Sequence, residues 1–455
     1  MDGNQLTARF IAQTRWEALP AEVQAIARMC LIDNLGATLA GTRTRVSRIC
    51  ADYAHTTWPA DHATILLQGK RASAVGAAFA NAAAANGIDS DDGLQYAYGH
   101  GGAQIFPTAL AVAEARNLSG ARLLAGMVVG YEVAHRMGRC WHDHHDVYQA
   151  CGSWGSIASA ATAANLMDLT AEQAWHALGI SDYQAPNLPM MRDVDHPAMV
   201  KHGIYWGAMT GVMSAEMAAS GFTGIPSLLG ENQYRDWVKD IGDHYIMVKG
   251  VRWKMKHYAC CGWAHAAVEG THELVREHAI QLKDIDKIVV QAFHETVRLG
   301  TRLPRTTEEA QFNLAWPVAA MLVDGEVGPD QTLEHRLVDP EIQAIAQKIE
   351  VQESEELNEL RRLYEIGDPR GRFASIVTIR LKDGKSYSSG LKDGGMTMAA
   401  QNWTQAMMAD KFRWLGETVM EPSQIEEIFT TAWNLDELEH VSTLTKKLQQ
   451  STRSR

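Results

Sequence analysis

Four stretches of the chain concentrate side chains that can move protons or hold charge. The run from Asn86 to Gly102 carries Asp89, Asp91, Asp92 and His100 among glycines. Carboxylates and an imidazole on a glycine-rich loop between two Ala-rich helices suit a site that presents an acid and a base to a cavity. The plainer alternative is that Asp91 and Asp92 cap a helix and His100 packs beside it. A calcium loop is excluded, because counting from Asp89 the fifth position is Gly93 and the twelfth is His100, where an EF-hand needs oxygen ligands. The second stretch, Trp141 to Asp146, holds His142, His144 and His145 with Asp143 and Asp146. Neighbouring residues rarely converge on one tetrahedron, so it reads as a solvated polar loop, and no metal is expected.

The third stretch gathers Asp193, Asp195, His196, Lys201 and His202 ahead of a helix at Tyr205–Ser220. A lysine there is ordinarily a surface charge; only burial makes it a usable base or a clamp for a carboxylate. The fourth, Trp253 to His265, supplies Lys254, Lys256, His257 and His265, more charge than packing requires, together with the adjacent Cys260 and Cys261. Without a base and orienter beside them, the cysteines read as small buried residues. No dinucleotide-binding glycine motif, Walker loop, nucleophile elbow or HExxH occurs in a proper context, so no cofactor is expected.

These stretches must be positioned by a scaffold, and the first half of the sequence is helix after helix. Val23, Ile26, Ala27, Cys30, Leu31, Leu35 and Leu39 recur at three- and four-residue spacing and predict a helix over Val23–Ala40. Further helices are predicted at Ala72–Asn86, Ala103–Ala115, Ala121–Met137, Ser153–Met167, Ala171–Leu178 and Tyr205–Ser220. Their many Ala and Gly residues imply close helix packing. After about Lys254 the pattern turns to strands at Lys287–Phe293 and Ser375–Leu381, with a hairpin turn at Lys382–Lys385 and helices at Ala264–His278 and Trp316–Val323. Pro422–Leu448 is again helical, while Gly384–Gly395 and the Ser/Arg-rich tail read as mobile. The expectation is a mostly α protein: a large helical domain from residues 1–253 and 393–455, with a smaller α+β domain inserted at 254–392.

Composition narrows the classes. At 455 residues, 46% apolar and 21% charged, the chain has the make-up of a soluble globular protein of two domains. No stretch approaches a membrane span, and the first residues lack the pattern of a secretory leader, so a cytoplasmic location is expected. A formal charge of −12 argues against nucleic acid as a partner. Six cysteines without CxxC spacing read as reduced thiols.

The run from Leu31 to Gly41 resembles the first-helix signature of the MmgE/PrpD family, which includes 2-methylcitrate dehydratase, cis-aconitate decarboxylase and iminodisuccinate epimerase. Ile88–Pro107, Gly130–Val133, Gly152–Ala161, Met199–Gly224, Lys256–His265 and Glu309–Gly325 match in the same order. The resemblance implies a helical domain built from both chain ends, an inserted α+β lid, a homodimer and a small carboxylate substrate. It also implies catalytic roles for Asp89, His100, Lys201 and Lys256, and substrate contacts from Asp92, Gln149, Ser153, Cys261, His265 and Trp316. Gly93 stands where many members have Thr, Gln149 where many have His, Cys261 where the decarboxylase has His, and Trp316 where it has Tyr. Those departures argue against cis-aconitate decarboxylase itself.

Dehydration, epimerisation and decarboxylation of polycarboxylates all develop charge beside a carboxylate, so each needs a base, an acid and cations. The expected function is a cofactor-independent lyase resembling 2-methylcitrate dehydratase. The alternatives are a dicarboxylate epimerase or a non-catalytic oligomeric binding protein.

Overall fold

The computed structural model describes residues 1–94, 97–248, 253–394 and 403–450. It is mostly α, with strands confined to one four-stranded sheet and two small pairs. No helix among the described residues is long and apolar enough to cross a membrane.

The helical part is built from helices apolar on nearly every face. Ala21–Gly41 is buried continuously from Met29 to Gly41, and every residue of Cys151–Leu166 is buried. A helix that is apolar all round belongs inside a bundle, and here small residues let the backbones meet. Gly41 shows how close they come, since a Cβ there would lie 1.9 Å from the Ala84 carbonyl oxygen of helix Ala74–Ala85. That contact presses the end of helix Ala74–Ala85, and the Asp89 loop that follows, against helix Ala21–Gly41. Ser73, Ser119 and Thr170 cap the helices they precede by accepting a hydrogen bond from a first-turn amide.

The predicted helices are present with shifted ends. Gly120–His144 runs a full turn or more beyond expectation, so His142 and His144 sit in a helical last turn rather than a loop. Lys70–Ala72 is a short strand paired with Ala63–Ile65, and the helix begins only at Ala74. Pro422–Leu448 is broken into Pro422–Trp433 and shorter turns. Helices Gln405–Gly416 and Pro422–Trp433 return to the first hydrophobic core, to which Met408, Phe412, Ile425 and Ile428 contribute.

The second core holds a sheet in the order Ile349–Glu353, Ile285–Ala292, Ala374–Leu381, Ser386–Asp393. The first pairing is parallel and the others antiparallel. Helix His265–Glu277 packs against the last two strands. Ser386–Asp393 is the partner strand of the predicted hairpin, which corrects the expectation of a mobile segment over 384–394; Gly395 and residues 451–455 lie outside the described residues. The two parts meet at the site: Gly93–Leu94, after the Asp89 loop, pairs antiparallel with Trp253–Lys254, which leads into the sheet-bearing part.

Candidate functional site

Helix Ala74–Ala85 ends at Asn86, whose amide gathers the carboxylates that follow. Its Nδ2 donates to Asp89 Oδ1 at 3.2 Å and to Asp91 Oδ1 at 2.8 Å. Asp89 adopts φ +53°, a left-handed conformation that Asp tolerates better than most residues. This turns both its carboxylate and its carbonyl toward Lys256, whose Nζ lies 2.8 Å from Oδ1 and donates to the backbone oxygen at 2.7 Å. His100 sits between two acids, its Nδ1 2.8 Å from Asp91 Oδ2 and its Nε2 3.3 Å from Asp89 Oδ1. The His100 backbone amide donates to Cys151 Sγ at 3.0 Å, tying the loop to helix Cys151–Leu166.

A second loop packs against this one. Lys201, His202 and Gly203 have φ of +38°, +58° and +63°, three consecutive left-handed residues. Such a run persists only where its surroundings over-determine it. Asp193 holds it through Oδ2, which accepts from the His202 amide at 2.7 Å and lies 2.8 Å from His202 Nδ1. Gly152 makes room for it, because a Cβ there would lie 2.2 Å from the Gly203 oxygen. The His202 ring stacks on His100 with centroids 5.5 Å apart and planes 13° apart. Two Asp–His pairs, Asp91–His100 and Asp193–His202, thus stand side by side. Lys201 Nζ donates to Gln311 Oε1 at 2.5 Å, and Gln311 is fixed by donating to the Gly87 oxygen at 3.0 Å and Thr307 Oγ1 at 2.8 Å.

Electrostatics separate the acids of the first loop. Burial works to raise the Asp89 carboxyl, but the Lys256 ammonium, followed by His100, Lys201 and His202, holds it well below the usual carboxylate range. Asp91 is likewise held below that range, with burial opposed mainly by His100. Burial lowers Lys256, yet Asp89 and Asp91 outweigh it and keep the ammonium charged. Asp92 goes the other way: burial, reinforced by Asp33, lifts it to about 7. Burial also pushes the thiols of Cys151 and Cys261 up to about 12, leaving them poor nucleophiles.

The site opens on a cavity of about 690 Å³, its mouth included, whose walls include His100, His202, Lys256, Cys261, Lys254 and Arg361. Of the residues named from the sequence, His100, Lys256 and Cys261 line it, and Asp89 and Lys201 lie directly beneath through their contacts with Lys256, His100 and Gln311. The others are placed differently. Asp92 points away, accepting from the Gly102 amide at 3.0 Å and Tyr131 Oη at 2.5 Å. Gln149 Oε1 accepts from the Leu188 amide at 2.8 Å, and Ser153 Oγ donates to the Pro186 oxygen at 2.6 Å. His265 is fully buried with Nε2 3.3 Å from the Cys260 oxygen. Trp316 is fully buried and donates from Nε1 to the Gln331 oxygen at 2.8 Å, so it does not narrow the cavity. Asp91, Asp193 and His202 lie in the stretches that the sequence singles out but carry no role there; the structure places all three at the site.

Donor atoms of Asp89, His100 and His202 lie within 4.8 Å of one another, a spacing a metal ion can bridge. The Lys256 ammonium already sits on the same Asp89 oxygen, and His202 Nδ1 faces Asp193, so a cation of the protein's own satisfies this carboxylate. The His142 run does not gather three donors among the described residues. His142 instead packs its ring against Tyr98 and Tyr148, and burial lowers it to about 4.

Fold and site together define a largely helical protein with an attached α+β part and a buried cluster of paired acids, imidazoles and lysines at their junction. The MmgE/PrpD N-terminal domain model matches residues 5–239 and the C-terminal domain model residues 258–436, and the chain belongs to this family. It is 23% identical to cis-aconitate decarboxylase of Aspergillus terreus over an alignment covering 94% of this chain and 92% of that protein. It is 25% identical to the human cis-aconitate decarboxylase, covering 94% of this chain and 90% of the relative. A cis-aconitate decarboxylase-like protein of Aspergillus oryzae, oryM, is 22% identical over 96% of this chain and 95% of its own length.

Proposed function

We propose that this chain is a cofactor-independent lyase that removes a proton beside a carboxylate of a small polycarboxylate and expels a leaving group, in the manner of a dehydratase. The observation that carries this reading is the stacked pair of Asp–His units above Lys256. An elimination needs one group to take a proton and another to give one, and each imidazole here has a carboxylate 2.8 Å from Nδ1 that fixes the ring. Asp89, neutralised by Lys256 and almost wholly covered, is better suited to fix charge than to act as the base; His100 reaches the cavity and takes that part through Nε2, whose longer 3.3 Å contact with Asp89 the substrate would replace. Lys256 and Lys201 stabilise negative charge as it develops on the carboxylate of the substrate, strengthened by exclusion from water.

The geometry favours elimination over epimerisation. Inversion by two bases places the carbon between them, which requires two van der Waals contacts in series, about 7 Å. The His100 and His202 rings are 5.5 Å apart and nearly parallel, so they act from one side of a substrate. Similarity to cis-aconitate decarboxylases supports the carboxylate substrate, whereas Cys261, where the family resemblance implies a histidine in the decarboxylase, supports a reaction other than theirs.

Proton NMR in deuterium oxide, with citrate, 2-methylcitrate, the aconitates and iminodisuccinate, tests this. New vinylic signals in wild type, absent in Lys256→Ala, are expected. Deuterium entering a saturated substrate with inversion and no vinylic product would replace the lyase with an epimerase.

A further inference from the structure

The cations closest to the proposed chemistry each have a partner within the protein, Lys256 on Asp89 and Lys201 on the neutral Gln311. Two others on the cavity wall have donors to spare. Arg361, on helix Glu355–Glu365, is 6% exposed; one nitrogen pairs with Glu365 Oε1 at 3.0 Å, while Nε and Nη1 are buried with no hydrogen-bond partner. Lys254 has no hydrogen-bond or ion-pair partner for its ammonium among the described residues, and its Nζ rests 3.8 Å from the Phe373 ring centroid and 4.9 Å from that of Tyr364. The guanidinium carbon of Arg361 lies 5.5 Å from the same Phe373 centroid and 5.9 Å from that of Tyr364, so both cations share one aromatic floor.

Two cations against one apolar floor, with the Glu365 carboxylate paired to only one of them, are costly to maintain. Burial, followed by the Arg361 charge, lowers Lys254 to about 7. Buried donors with no partner call for an acceptor, and on a cavity wall a ligand can supply it. Gly93 adds an independent observation. It pairs with Lys254 across the short strand pair and lines the cavity. A Cβ at Gly93 would meet only ordinary contacts, Lys254 Cβ at 3.8 Å and the Gly99 oxygen at 4.0 Å, so the backbone there does not require glycine. Its effect is to leave space beside Lys254.

We propose that Lys254 and Arg361 form a second carboxylate subsite, open because position 93 is glycine, that binds the end of the substrate remote from the reacting carbon. This rests on the carboxylate-lyase reading and refines it. The substrate class becomes a di- or tricarboxylate in which an apolar stretch of carbon, lying on Tyr364 and Phe373, separates the distal carboxylate from the one at His100 and Lys256. Arg361 supplies a planar fork for that carboxylate and Lys254 a point charge.

The test is direct binding, by calorimetry on the intact protein, of succinate, glutarate and adipate against butyrate, valerate and hexanoate. Wild type is expected to prefer at least one dicarboxylate over the matching monocarboxylate by tenfold or more. Arg361→Met should reduce that preference to near one, Arg361→Lys should retain part of it, and Gly93→Thr should weaken the dicarboxylate selectively; melting curves report whether each variant folds. Equal loss of both ligand classes in Arg361→Met, or no dicarboxylate preference in wild type, overturns the subsite. Binding does not depend on turnover: a preference that behaves as expected without deuterium exchange in any substrate would leave the subsite standing and remove the lyase reading.

Discussion

Two clusters of carboxylates grow from the same loop, both shut away from solvent, and they behave in opposite ways. In front, Asp89 and Asp91 face Lys256 and His100 and stay ionised. Behind, Asp92 and Asp33 face each other, with Tyr131, Asn34 and Lys411 around them, and both are raised. Burial pushes all four the same way, and the balance of neighbouring charge decides the outcome: Lys256 and His100 outweigh burial at Asp89 and Asp91, whereas at Asp33 burial outweighs Lys411. The rear cluster is a clamp: Asp92 joins the Gly102 amide, Tyr131 of helix Gly120–His144 and Asn34 of helix Ala21–Gly41, while Lys411 links Asp33 at 2.5 Å to the Ser90 oxygen at 2.8 Å. The front cluster opens on the cavity. Adjacent residues thus divide into one set that shapes the loop and one that can act on a ligand.

The largest effect should come from Lys256→Met, which leaves Asp89 buried without its cation. Turnover should fall by about a thousandfold or more, and stability by about 3–5 kcal/mol in denaturant titration. Lys411→Met strands Asp33 in the same way and should cost a similar amount of stability while turnover by the folded fraction changes by less than about threefold. If both substitutions depress turnover alike, the division between front and rear fails.

A pH series sharpens the contrast. The Asp92 pKa is about 7 in the folded protein and near 3.8 unfolded, so between those values the unfolded chain has released a proton that the folded one retains. Its contribution therefore declines as pH rises from about 4 to 7. Asp89, lowered on folding, contributes stability present above its unfolded pKa and lost as pH falls below it. Denaturation midpoints should show the decline between pH 4 and 7 flattened in Asp92→Asn and unchanged in Asp89→Asn. The smallest effect belongs to Trp316→Phe. It removes a bond to the Gln331 oxygen away from the cavity, and should leave the preference among substrates within about twofold while lowering stability by about 1 kcal/mol.

Helix periodicity and motif order made the helical scaffold legible, together with Asp89, His100 and Lys256. Side-chain direction was less so. Gln149, Ser153 and His265 lie on the expected segments, but their polar atoms are used by the Leu188 amide, the Pro186 oxygen and the Cys260 oxygen, partners that no linear pattern announces. Arg361 was invisible for the opposite reason. Helix Glu355–Glu365, with Glu355, Glu356, Glu359 and Arg362 around it, reads as a solvated surface, and only the packing of Tyr364 and Phe373 carries that one arginine inward. The parallel strand Ile349–Glu353 escaped notice because a short edge strand with exposed polar residues lacks a clean alternation.

The central claim is that an imidazole oriented by Asp91 moves the proton while its neighbour Asp92 only holds the loop. Deuterium incorporation into a turned-over polycarboxylate, measured by NMR in wild type, Asp91→Asn and Asp92→Asn, tests it most directly. Exchange should fall by about a hundredfold or more in Asp91→Asn and stay within about threefold of wild type in Asp92→Asn. Full exchange in a folded Asp91→Asn protein, or equal loss in both, would contradict it.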